Sequence, residues 1–241
     1  MLVPLGAKWT GISRDNLQNC ENANLSPVTP FGSRTIGRLC LDTCAIIGIH
    51  NPARFVEAQR SALEKLIELY HQGKVALAQT DTVGVERDKV PLVQTDAVGF
   101  EQEEGELVAL QRRLESVGLL IVHGPRITGH SKMETSVAAS PEDHTRIERV
   151  LEIVHPQAVD HSDPSDNDVR DAMHIATAVR YCYQGFVTTD KAVLKAAKTI
   201  ATEFGGFQLM LPSQAVDWVT EKVARHEQSN VLRAEQMKKI Q

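Results

Sequence analysis

Short apolar runs recur along the chain at Leu39-Cys40-Leu41, Val75-Ala76-Leu77, Leu119-Leu120-Ile121-Val122, Phe186-Val187 and Phe207-Gln208-Leu209-Met210. Runs this short, without strict polar alternation, are the signature of strands buried on both faces. Longer segments of helical pattern separate them, at 52–71, 105–117, 141–154, 168–183 and 191–204. The strands are too far apart for hairpins, so the pattern predicts an α/β fold with an open parallel sheet of about five strands, covered on both faces. After Pro212, Ser213 is positioned to cap a last helix running past Trp218 and Val223, with a polar tail that is expected to fray. Residues 1–38 mix Asn, Ser, Pro and Gly without a sustained period and read as a loosely ordered arm. The domain is expected over 39–220, followed by a helical tail over 221–241.

Composition narrows the class. A chain of 241 residues, 42% hydrophobic, can bury one large core. With 26 basic against 31 acidic residues and a net charge of −5, it does not coat nucleic acid by bulk charge, and any such contact must be local. No run reaches the ~18 apolar residues of a membrane span. Met1 to Ser13 lacks the basic start and apolar core of a secretion signal, so the expectation is a cytoplasmic protein with no membrane partner. Cys20, Cys40, Cys44 and Cys182 show neither a C-x-x-C pair nor zinc spacing and are expected as reduced, mostly buried thiols.

Four acids stand out against this framework. Asp42 closes the first apolar run, and Asp190 follows Phe186-Val187-Thr188-Thr189. In a parallel sheet both fall at the carboxyl ends of strands, where chemistry collects. A helix that follows a strand starts at this edge, which places Glu86 near it if Thr80 or Asp81 caps that helix. A helix that precedes a strand must also start there to return, which places Asp171 near it as well. Any one of these acids alone is most often a turn former or a cap. Independent caps have no reason to share one edge, and oxygen-only ligands suit Mg²⁺ or Mn²⁺ rather than zinc.

Leu41-Asp42-Thr43, the segment from Thr80 to Glu86, Asp171-Ala172-Met173-His174-Ile175-Ala176-Thr177-Ala178, and Val187-Thr188-Thr189-Asp190 together resemble the PIN-domain nucleases. The similarity spans roughly 39–220, and its more specific parts are the Asp171 and Thr-Thr-Asp segments. It implies a three-layer α/β/α sandwich and a metal-dependent endoribonuclease that cleaves RNA phosphodiester bonds. By that resemblance Asp42, Glu86, Asp171 and Asp190 are the metal-binding acids. Divalent ions held this way activate water and neutralise the scissile phosphate, with no nucleophilic side chain required. Asp168, one turn before Asp171, is placed to reach a second metal, although charge compensation at a helix start accounts for it equally well.

Substrate contact is expected from groups around the acids. Thr189 and Thr43 offer hydroxyls, while Arg87, Lys89, Arg170, Lys191 and Lys195 offer phosphate contacts. Single-stranded or looped RNA is the implied substrate, although an aromatic content of 5% leaves few stacking platforms. The family includes toxins paired with an antitoxin as well as housekeeping nucleases. Residues 1–38, the loop 127–140 and the tail beyond Val223 exceed a compact toxin, and offer surfaces for a homodimer, an antitoxin or another protein partner.

The segment from Lys74 to Glu86 is echoed from Lys89 to Glu101, so Glu101 competes with Glu86. Pro91 removes a backbone donor from the second copy, which places the sheet strand in the first. His174 shares a helix face with Asp171 and reads foremost as a packed histidine. His155, Asp160, His161, Asp163 and Asp166, interspersed with Pro156 and Pro164, read as an exposed loop rather than a metal site. The glycine-bearing stretch 124–131 has His130 where a phosphate loop needs lysine. An aspartyl-phosphate phosphatase would need an acid two residues after Asp42, where Cys44 stands. The remaining alternative is a catalytically silent PIN-like scaffold or RNA-binding protein.

Overall fold

The computed structural model describes residues 35–50, 56–80, 119–127, 137–157 and 164–240. Five parallel strands form its sheet: β1 (Gly37–Leu41), β2 (Val75–Thr80), β3 (Leu120–Val122), β4 (Gly185–Val187) and β5 (Gln208–Met210), in the order β3-β2-β1-β4-β5. The helices are α1 (Thr43–His50), α2 (Glu57–His71), α3 (Pro141–Val154), α4 (Asp166–Arg180), α5 (Lys191–Lys195), α6 (Ala197–Glu203) and α7 (Pro212–Ile240). The predicted helix over 105–117 lies outside the described residues. None of the helices described is long and apolar enough to cross a membrane.

Alternation along the central strand β1 divides the core. Leu39 and Leu41 join Leu66, Leu69 and Tyr70 of α2 with Ala215 and Val219 of α7. Cys40, between them, joins Val150 and Val154 of α3, Ile175 and Ala176 of α4, and Ile200 of α6. Helices therefore contribute apolar side chains to both clusters, and Leu39, Cys40 and Leu41 of β1 are fully buried. Each fully buried leucine contributes roughly 1.5–3 kcal/mol.

Local signals fix the helix ends. Ser140 accepts the Asp143 N–H at 3.3 Å while Asp143 accepts the Ser140 N–H at 2.9 Å, and Pro141 preorganises the first turn of α3. Ser165 and Asp168 form the same reciprocal cap on α4. Several expected boundaries shift. β1 begins at Gly37, two residues earlier than expected, and the single helix expected over 191–204 is broken at Ala196 into α5 and α6. α1 was not foreseen, because the stretch from Cys44 to Ile49 inside it is apolar without a break and carries no face periodicity. Ser213 is not the cap of α7, which begins one residue earlier; its N–H and hydroxyl bond Gln59 of α2 instead. The tail expected to fray is helical through Ile240. Cys40 and Cys44 are free thiols as expected, whereas Cys182 is disulfide-bonded, a correction to the expectation for that residue.

Gly185 sits in the pairing register between Leu39 of β1 and Gln208 of β5. A Cβ there would meet the Gln208 carbonyl oxygen at 2.9 Å and Leu39 Cδ2 at 3.1 Å. A backbone oxygen held in the ladder cannot yield as a side-chain tip can. Gly185→Ala is expected to cost ~1–3 kcal/mol, read as a lower urea midpoint; an unchanged midpoint would show that the sheet opens to accept the methyl.

Candidate functional site

The carboxyl edge of the sheet is drawn level by its register. Leu41 pairs with Val187 and with Gln79, and Val187 with Met210. The next residues, Asp42 and Thr188, remain in register: Asp42 N–H donates to Val187 O at 2.9 Å, and Thr188 N–H to Met210 O at 2.9 Å. Asp42 is thereby held at the mouth of the sheet, 7% exposed.

Its carboxylate is heavily solvated by the protein. Oδ1 accepts the Thr43 N–H at 2.7 Å, and Oδ2 accepts the Thr188 hydroxyl at 2.6 Å and the Cys44 thiol at 3.0 Å. Burial pushes the Asp42 carboxyl above the ordinary range and the charge of Asp171 pushes further, opposed by His174 and by the hydrogen bonds from Cys44 and Thr188. Asp42 and Asp171, distant in sequence, therefore act on each other in space. Burial and the nearby Asp42 push the Cys44 thiol up to about 12, so it serves as a donor rather than a nucleophile.

Thr188 links a third acid to this pair. Its hydroxyl also accepts the Asp190 N–H at 3.0 Å, so one side chain orders both acidic segments. Asp190 is exposed, and its Oδ1 caps α5 through the N–H groups of Ala192 at 2.6 Å and Val193 at 3.4 Å. The cap reading and the edge placement both hold for this residue. No family model matches the sequence, and no curated protein matches it either. The chemistry must be read from the geometry.

His155 is the residue that sequence reasoning placed wrongly. It is 5% exposed, not part of an exposed loop, and ends α3 with its N–H on Leu151 O at 2.8 Å. Its Nδ1 lies 3.1 Å from Asp168 Oδ1 and its Nε2 lies 3.4 Å from Asp171 Oδ2. Asp171 first, then the charges of Asp168 and Asp190, raise the pKa of this imidazole against the opposing effect of burial. The signal was present: α3 runs into α4, α4 must start at the carboxyl edge, and a histidine stopped before Pro156 ends the preceding helix close by.

The other candidates divide. His174 is fully buried and hydrogen-bonded through Nδ1 to the Thr80 hydroxyl, the packed histidine that was expected. Thr189 bonds Cys44 Sγ through its N–H and its hydroxyl, both at 3.2 Å, while Thr188, not singled out in the sequence, holds Asp42. Thr43 contributes its N–H to Asp42. Lys191 and Lys195 are exposed beyond Asp190. Arg170 is buried and turned to Asn167 at 3.2 Å and Asp166 at 3.3 Å, a placement that removes it from the expected phosphate contact. Glu86, Arg87, Lys89 and Glu101 lie outside the described residues. Among those described, no group of three or more His, Cys, Asp and Glu side chains is gathered closely enough to hold a metal ion.

Proposed function

We propose that the protein is a metal-dependent endoribonuclease with a PIN-like three-layer α/β/α domain, acting on single-stranded or looped RNA. The observation that carries the reading is the buried Asp42 at the carboxyl edge of a parallel sheet, tied through the Thr188 hydroxyl to the Asp190 segment. Two acids that repel each other at such a mouth are relieved by a divalent cation. The donor types fit in part: Asp42 Oδ1 keeps one lone pair beyond its hydrogen bond from Thr43, and Asp190 keeps those of Oδ2, whereas Asp42 Oδ2 and Asp190 Oδ1 each already accept two hydrogen bonds. Asp42, Asp171 and Asp190 would hold the ion, with Glu86 as the fourth acid. Bound there, Mg²⁺ or Mn²⁺ neutralises phosphate charge and acidifies water.

The protein's own part is positioning. Thr188 fixes the Asp42 carboxylate and the start of the Asp190 segment, and Cys44 adds a second donor to the same oxygen. His155 spans Asp168 and Asp171. Lys191, exposed beside Asp190, is offered to the phosphate backbone. A second reading, a silent PIN-like scaffold or RNA-binding protein, draws on the lack of a three-ligand group among the described residues.

Structured and unstructured RNA incubated with purified protein and Mn²⁺, Mg²⁺ or EDTA separates the two. Cleavage of the unstructured RNA, abolished by EDTA and restored by Mn²⁺, is the expected result. RNA binding without metal-dependent cutting would leave the scaffold reading standing.

A further inference from the structure

We propose that Lys191, Lys195 and Lys198 form a phosphate track that holds the backbone of a single-stranded RNA where it leaves the acidic edge, on one side of the bond to be cut. The inference rests on the reading of that edge as a ribonuclease site. From Lys191 to Glu203, α5 and α6 carry three basic side chains and one acidic one, in a protein whose net charge is −5. The acid is already engaged: Arg149 of α3 donates from Nε to Glu203 Oε1 at 3.0 Å and from Nη2 to Oε2 at 3.1 Å, so Glu203 does not oppose the lysines. Lys191, Lys195 and Lys198 are all exposed, while Val193, Ala196 and Ile200 are buried in the core. At about 100° per residue the two sets fall on opposite faces.

The charge pattern of this face differs from that of other helices. Arg60 pairs with Glu57, Lys65 with Glu68, Arg149 with Glu152 and Arg225 with Glu221, each three or four residues away. None of the three lysines has an acid at that spacing in either direction, and their neighbours there include one another. Like charges so placed destabilise a helix, and a polyanion lying along the row turns their repulsion into attraction. The row also starts at the right place. Asp190 Oδ1 accepts the Ala192 N–H at 2.6 Å, which sets Lys191 at the carboxyl edge, and the chain from β4 must return to the amino edge to enter the parallel β5. α5 and α6 therefore carry the row away from Asp42 and Asp190 along the flank of the sheet, with Lys198 about 10 Å beyond Lys191 along the helix axis. Ammonium groups one turn apart can each meet a successive phosphate. Lysine is a point charge on a flexible stem, so the track positions the strand and leaves the choice of bases to other groups.

Fluorescence anisotropy of a labelled, unstructured oligoribonucleotide with the full chain, in EDTA and over a series of salt concentrations, tests this without reference to cleavage. Three proteins are compared: the wild type, the triple variant Lys191→Gln, Lys195→Gln, Lys198→Gln, and a control triple variant Lys65→Gln, Lys238→Gln, Lys239→Gln with its changes on α2 and at the far end of α7. Glutamine matches lysine in helix propensity, so these exposed substitutions leave the fold in place. Loss of three phosphate contacts to a single strand is expected to lower the slope of log Kd against log salt by about 2. Between about 50 and 200 mM salt the wild type should then lose roughly 20-fold more affinity than the track variant. The control is expected to keep the wild-type slope. A track variant with the wild-type slope overturns the inference and leaves the ribonuclease reading to the cleavage assay. An equal change in the control shows diffuse charge rather than a track and overturns it too. The expected difference in slope, in a wild type that cuts no RNA with Mn²⁺, removes the ribonuclease reading and retains the track as an RNA-binding surface. A wild type that binds no RNA overturns both.

Discussion

Asp42→Asn is expected to abolish metal-dependent RNA cleavage while leaving the protein at least as stable as the wild type. The substitution keeps the shape of the side chain and an oxygen for the Thr43 N–H or the Thr188 hydroxyl, but removes a charge held 7% exposed beside Asp171. Losing one acid of a carboxylate site removes several kcal/mol of charge stabilisation, a rate loss of ~10³-fold or more. Stability moves the other way. A buried anion next to another acid is a cost when no cation is present, so its removal is expected to leave the urea midpoint unchanged or higher. Thermal unfolding with added Mn²⁺ separates the two effects. The wild type should gain about 2.7 kcal/mol at a metal concentration 100 times its Kd, and the variant should gain almost nothing. Undiminished cleavage by Asp42→Asn would remove Asp42 from the mechanism and the proposed function with it.

How much of this was legible in the sequence follows from what each signal depends on. β1, β2 and β4 are buried on both faces, so an apolar run was enough to find them, and a parallel sheet was enough to place Asp42 and Asp190 on one edge. α3 was legible to the residue because Ser140, Pro141 and Asp143 specify its start and Pro156 its end. The broken helix at Ala196 was not, since no glycine or proline marks it. His155 was misread because a polar, proline-bearing stretch is an exposed loop in most contexts. Its burial depends on the packing of α3 against α4, which composition does not encode. The choice of Thr189 over Thr188 failed for a similar reason. Either hydroxyl could face Asp42, and only the register with Met210 directs Thr188 inward. Arg170 looked available because it neighbours Asp171 in sequence, yet on a helix adjacent residues point some 100° apart.

Asp143→Ala is expected to be the most destabilising of the substitutions considered, costing roughly 3–5 kcal/mol. Asp143 is 3% exposed and joins the first turn of α3 to the last turn of α4. Its Oδ2 accepts from Arg180 Nη1 at 2.7 Å and from the Ser140 N–H at 2.9 Å, and its Oδ1 accepts from Arg146 Nη1 at 2.8 Å. Alanine would leave two arginines unpaired and the Ser140 N–H without its acceptor, although the Ser140 hydroxyl still caps the N–H of residue 143; the loss is a large share of the ~5–15 kcal/mol that holds a domain together. Burial alone would raise this carboxyl; the Ser140 N–H and hydroxyl, the Arg180 charge and the Arg146 hydrogen bond outweigh it and hold its pKa below the ordinary value. The sign for pH follows. Between the lowered native pKa and the unfolded value of ~3.9 the unfolded chain binds more protons, so this contribution is present above about pH 4 and is lost as the pH falls through the native pKa. The difference in urea midpoint between wild type and Asp143→Ala should therefore be large at pH 7 and should shrink on acidification below pH ~4. Equal midpoints at pH 7 would show that Asp143 is not a clamp. The consequence reaches the candidate site, because the pairing that sets Asp143 against Arg180 at one end of these two helices sets His155 against Asp168 and Asp171 at the other. Loosening the first contact is expected to loosen the second, so any folded fraction of Asp143→Ala should bind Mn²⁺ more weakly even though the substitution lies at the far end of both helices.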